Sequence, residues 1–171
     1  LHTIEVGKYG LNEPWTPKNS SDKYGGMLTL KAALAQSVNT VTARLIDRVG
    51  PKPVLDLVGK MGVDTKKILE VPSIALGTPD VSLYEMVGAY STFANQGVYI
   101  KPSLITRIED KNGTVLFQHI PEARDVLSEE AAYVTISLME GVTQSGSGQR
   151  LRSDWALNIP VYKDIITGYP W

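Results

Sequence analysis

Glycine and proline stops cut the apolar patterning of this 171-residue chain into short helical units, and that punctuation constrains the fold most. A helical pattern opens at Thr29, a suitable N-cap, with apolar residues at Leu30, Ala33, Leu34, Val38, Val41, Leu45 and Val49. Gly50-Pro51 closes it. Pro53 to Met61 reads as a second short helix, with Gly62 at its C′ position. Ser82 followed by Glu85 is a capping box, and it opens a helix with the stripe Leu83, Met86, Val87, Tyr90, Phe93 and Ala94, stopped by Gly97. Tyr84, Tyr90 and Phe93 are expected in the core. Ser128, with Glu129 and Glu130 as first-turn acids, starts a last helix to about Gly141, and Gly146-Ser147-Gly148 is a turn.

Residues 1–28 are too rich in Gly, Pro, Asn and Ser for periodicity, apart from a short strand near Thr3–Val6. Val98 to Asp110 reads as extended. Asn112-Gly113 between Ile105–Asp110 and Thr114–His119 is a strong hairpin signal. The expected class is α+β, mostly helical with one β-hairpin. A lone hairpin is marginal, so it should pack on helices or join strands from elsewhere.

Composition removes several functions. Lys plus Arg number 17 against 18 for Asp plus Glu, so no basic excess points to nucleic acid. The absence of cysteine excludes disulfides, thiolate metal sites and a cysteine nucleophile, while fitting either the cytosol or an exported protein. His2 and His119 are the only histidines, too few for a His-rich metal centre, and His119 reads as a surface residue. No cofactor or metal is expected. No apolar run approaches the ~18 residues needed to span a bilayer.

Ala35-Gln36-Ser37-Val38-Asn39-Thr40-Val41 carries the chemistry. In an unbroken helix, Ser37 and Asn39 would point about 200° apart. An extended stretch from 37 to 39 would turn both to one side. Asn39 and Thr40 are poor helix formers and good N-caps, so a break is expected here, placing a hydroxyl beside an amide. Taken alone, S-x-N is more readily a serine on an apolar helix face beside an exposed asparagine.

The surrounding sequence changes that balance. Leu30 to Thr40 resembles the second active-site motif of the transpeptidase domain of class A penicillin-binding proteins, the bifunctional peptidoglycan synthases. Pro17-Lys18-Asn19 and Gly25-Gly26 resemble the loop before that motif, and Ala89 to Pro102 is similar to a long family signature. Ser145-Gly146-Ser147-Gly148 with Gln149-Arg150-Leu151 resembles the glycine turn ahead of the third motif.

The resemblance implies a serine β-lactamase-like fold and acyl transfer through a serine ester, built on S-x-x-K, S-x-N and K-T-G. It implies Ser37 as proton relay and Asn39 as the amide that binds substrate or orients the lysine. The only S-x-x-K match, Ser20-Ser21-Asp22-Lys23, lies in a loop and precedes no helix, so the nucleophile is expected before Leu1. Thr167-Gly168 is the candidate remnant of K-T-G for substrate binding, with Ile166 where lysine belongs; alternatively, the last residues come from beyond that motif. Arg150 and Arg152 could meet an anionic substrate, or be ordinary exposed arginines.

Peptidoglycan stem peptides and β-lactams are the implied partners, at the outer face of the bacterial cytoplasmic membrane. The implied organisation is a partial transpeptidase domain over residues 1–171, with the glycosyltransferase domain and membrane anchor elsewhere. The alternatives are a serine β-lactamase or D,D-carboxypeptidase, and a non-catalytic peptide- or partner-binding module of the same fold.

Overall fold

The computed structural model describes residues 1–154. Several of its helices start where the capping signals lie. Helix α1 (Leu30–Ala35) is capped by Thr29, whose hydroxyl accepts from Ala32 N–H at 3.2 Å. α2 spans Asn39–Val49, and Gly50, at φ +88°, turns the chain directly into α3 (Pro51–Lys60). α3 thus starts two residues before the expected Pro53, because proline at N1 sacrifices only an N–H that lacks a partner anyway. Gly62 follows at φ +94°, and a Cβ there would run into the Tyr99 ring.

Helix α4 (Leu83–Ala94) carries the complete capping box, and α5 (Glu129–Ser145) is capped by Ser128. α5 passes through the expected stop at Gly141. A glycine inside a helix costs about 1 kcal/mol relative to alanine, but a Cβ here would press on Lys31 Cγ at 3.3 Å and Ala35 Cβ at 3.4 Å. Gly141 lets α5 approach α1.

The hairpin forms as expected from Asn112-Gly113: β2 (Arg107–Glu109) pairs antiparallel with β3 (Val115–Gln118), with a bulge between Ile108 and Glu109. A second antiparallel pair, not foreseen, brackets it: β1 (Val98–Ile100) with β4 (Ala123–Asp125). Every residue of β2 and β3 is exposed, so among the described residues the hairpin buries no face against the helices. The strand expected near Thr3–Val6 is a single bridge between Ile4 and Trp15.

α5 lies against both α1 and α4, and β1 lies along α4. Met61, Val63 and Ala89 form a buried cluster, with Leu57, Val58, Phe93 and Leu127 packed around it. The buried face of α4 is Gly88, Ala89 and Thr92 rather than the whole expected stripe. Tyr84 and Tyr90 are 45% and 54% exposed, not core; only Phe93 keeps its place there. Small residues won that face because Tyr99 and Pro102 come within 3.1 and 3.4 Å of where a Gly88 Cβ would sit.

The N-terminal segment is held to α2 by the Asp47 carboxylate, which accepts from Lys8 Nζ and from His2 Nε2 at 3.1 Å. Tyr9 Oη donates to the Asp47 carbonyl. The Lys8 hydrogen bond, then that of His2, holds the Asp47 carboxyl below the usual carboxylate range.

Glu85 joins two elements at once. Its Oε1 accepts from Asp64 N–H at 2.8 Å, after α3, and its Oε2 from Ser82 N–H at 2.7 Å, at the start of α4. The Asp64 bond first, then the Ser82 bonds, lower its pKa from 4.5 to about 2. A depressed carboxylate stabilises the fold above its unfolded pKa, and that contribution is lost as pH falls through the folded value. The unfolding midpoint of the protein should therefore exceed that of Glu85→Gln at neutral pH, with the gap closing between pH 4.5 and about 2. A gap independent of pH would contradict this.

Candidate active-site segment

The helix expected to break at Ser37–Asn39 does so. The break is a left-handed corner, however, rather than an extended stretch. Ser37 sits at φ +53°, and only Val38, at φ −82° and ψ 99°, is extended. Ser37 N–H donates to Leu34 O at 3.0 Å and Val38 N–H to Ala33 O at 2.9 Å. These two bonds make a Schellman ending to α1, with Ser37 at the C′ position that glycine usually fills. A side chain there costs roughly 1–2 kcal/mol. Ser37 is exposed, and its hydroxyl makes no hydrogen bond among the described residues.

The corner is held from two sides. The Ala35 carbonyl, which a continuous helix would aim at Asn39 N–H, instead accepts from Ser147 N–H at 3.0 Å. This bond seats the 146–148 turn against the end of α1. A Cβ at Gly146 would overlap the Ala35 carbonyl group, so only glycine permits the approach.

On the other side lies the loop at 18–23. Asn39 is the first residue of α2 rather than its cap, and the N-cap, Val38, has no side chain able to accept. Asn19 takes over: its Oδ1 accepts from Thr40 N–H at 3.0 Å. Asn39 Nδ2 donates in return to the Lys18 carbonyl at 2.8 Å. Asn19 was legible in the sequence only as part of Pro17-Lys18-Asn19. No local pattern marks a loop asparagine as buried.

Ser20-Ser21-Asp22-Lys23 is an exposed turn closed by Asp22 N–H to Asn19 O, so Ser20 and Lys23 do not share one helical turn. Arg150 is exposed and paired with Asp154 at 2.9 Å. His119 is half-buried rather than a surface residue, and its Nε2 is buried without a hydrogen-bond partner among the described residues. Among the described residues no cluster of acidic and histidine side chains could hold a metal. A cleft of about 560 Å³ between Asp64, Ile74, Asp80 and Glu85 shares no lining residue with the Ser37 corner. Thr167 and Gly168 lie outside the described residues.

The fold is that of a serine acyltransferase. The chain belongs to the penicillin-binding protein transpeptidase domain family, which it matches over residues 2–163, ending short of Thr167. Its relatives place it with the class A proteins. It is 39% identical to penicillin-binding protein 1A of Aquifex aeolicus, over 81% of this chain and 19% of that protein. It is 36% identical to penicillin-binding protein 1B of Haemophilus influenzae, over 84% of this chain and 18% of that protein. The chain thus spans about a fifth of these relatives. The crystal structure of penicillin-binding protein 1A from Haemophilus influenzae superposes with a TM-score of 0.79 at 25% identity, covering 89% of this chain and 28% of that one. Penicillin-binding protein A from Mycobacterium tuberculosis, an imipenem acyl-enzyme complex, shares the fold at a TM-score of 0.66 and 20% identity, over 83% of this chain and 37% of that one.

Two substitutions test this geometry. Ser37→Gly should raise stability by about 0.5–1 kcal/mol, since relief of the left-handed strain exceeds the added chain entropy. Gly146→Ala should lower it by about 1–3 kcal/mol through overlap with the Ala35 backbone. Urea midpoints measure both, and a destabilised Ser37→Gly would contradict the strain.

Proposed function

We propose that these residues form the S-x-N part of a D,D-transpeptidase that cross-links peptidoglycan stem peptides. The observation that carries this reading is the exposed Ser37 hydroxyl, held at a strained corner where glycine would cost less. Strain of this kind persists where the surrounding structure enforces it, and it concentrates at functional sites.

In this reading a serine from an S-x-x-K helix outside these 171 residues attacks the penultimate D-Ala carbonyl of a donor stem peptide. The tetrahedral intermediate collapses to a serine ester and D-Ala leaves with a proton. An acceptor amine then attacks the ester, forming the cross-link and returning the proton to the serine. Ser37 carries protons between the nucleophile's lysine and the leaving or entering amine. Asn39 presents its amide to the substrate or to that lysine. The exchange of amide for ester and back is redox-neutral and needs no cofactor. β-Lactams acylate the same serine, and the protein works at the outer face of the cytoplasmic membrane.

The relatives named penicillin-binding proteins 1A and 1B support the synthase over the hydrolytic alternatives. The deacylation rate of a bound penicillin separates them: slow for a synthase, fast for a β-lactamase.

Two measurements test the reading. In the full-length gene product, Ser37→Ala should slow acylation by a labelled penicillin about 10²–10⁴-fold, the usual worth of a proton-transfer group. The 171-residue chain alone should form no adduct by intact mass after excess penicillin, because Ser37 has no lysine at activating spacing and Ser20 and Lys23 lie in an exposed turn outside any helix. An adduct on Ser20 would make that loop the true S-x-x-K, and one on Ser37 would reassign the relay.

A further inference from the structure

We infer that Asn19 is a positioning residue for the active site: its buried side chain clasps the start of α2 and thereby sets the direction in which Asn39 presents its amide. The inference rests on the reading of Ser37 and Asn39 as relay and positioning amide.

The clasp follows from an unmet need. The first N–H groups of any helix lack intrahelical partners, and a polar side chain just before the helix normally supplies one. Val38 occupies that position in α2 and cannot accept. The acceptor arrives from a loop some twenty positions earlier, through Asn19 Oδ1 on Thr40 N–H at 3.0 Å. Asn19 is 8% exposed, and its other amide atom is also satisfied, with Nδ2 donating to Lys23 O at 2.8 Å. Both ends of the side chain are therefore committed, one to α2 and one to its own loop.

Docking Asn19 brings the adjacent Lys18 carbonyl onto Asn39. That carbonyl can only accept, so Asn39 must turn its NH₂ toward it, at 2.8 Å. The amide's orientation is then no longer free. With Nδ2 committed to the Lys18 carbonyl, Asn39 Oδ1 has no hydrogen-bond partner among the described residues. It is available as an acceptor for an ammonium or a substrate amide N–H. Without the clasp, Asn39 could rotate or flip, and α2 could fray back toward Ser37.

The test uses the full-length gene product and stopped-flow acylation by a labelled penicillin, separating the binding constant from the acylation step. Asn19→Ala should lower the acylation rate constant about 10²-fold, as small misplacements of reacting groups do, with the binding constant changed little. Asn19→Asp keeps the acceptor for Thr40 N–H but loses the donor to the Lys23 carbonyl, and should recover part of that loss. A purely structural role would instead reduce the fraction of protein that reacts, leaving the rate constant of the reacting fraction unchanged. That result would overturn the inference, as would equal rates for the Ala and Asp variants. Ser37→Ala, run alongside, separates the two levels. If it leaves acylation unchanged, the reading of the site fails. If it slows acylation while Asn19→Ala does not, only the role of Asn19 fails.

Discussion

The bond between Ser147 N–H and the Ala35 carbonyl organises the rest of the site. A helix end leaves its last carbonyls without intrahelical donors. In α1 one of them is met by the backbone of a turn more than a hundred positions later. That contact seats the glycine turn against the Schellman end of α1, beside Ser37 at the corner between two helices. It requires close backbone approach, so the residues at the contact are small: Ala35 on α1, Gly141 and Gly146 on and after α5. Bulk on either side would separate the S-x-N corner from the turn beside it.

The same preference for small residues explains where the apolar side chains went. In α4, Gly88, Ala89 and Thr92 are buried, Gly88 against Tyr99 and Pro102, while Leu83, Val87 and Tyr90 are exposed. In α1, Ala33 and Ala35 are buried while Leu30 and Leu34 are exposed. These helices carry apolar residues around most of their circumference. Periodicity finds such a helix but cannot choose which face the neighbour takes.

Much of the local structure was legible in the residues because it depends on atoms a few positions apart. Thr29, Ser82 and Ser128 marked three helix starts by their capping oxygens. Asn112-Gly113 marked the hairpin because its turn demands positive φ. The break at Ser37–Asn39 was legible as a conflict of directions. Its form was not, since a left-handed serine is stable only with the Schellman bonds and the docked turn. The β1–β4 pair was missed for a similar reason: its strands are three residues each and joined across the whole hairpin, so no local pattern joins them.

By itself the sequence determined the inventory: a mostly helical α+β chain, its breaks, one hairpin, and a Ser-x-Asn set in a stretch similar to a penicillin-binding transpeptidase. Those features rest on backbone propensity and short-range hydrogen bonds, which each residue carries with it. Only the tertiary structure decided that Asn19 would be buried, that Val38 would be capped from a distant loop, and that His119 would lose its exposure. Each outcome depends on which backbone groups docking left unpaired. A polar side chain acquires its partner only when the fold delivers one.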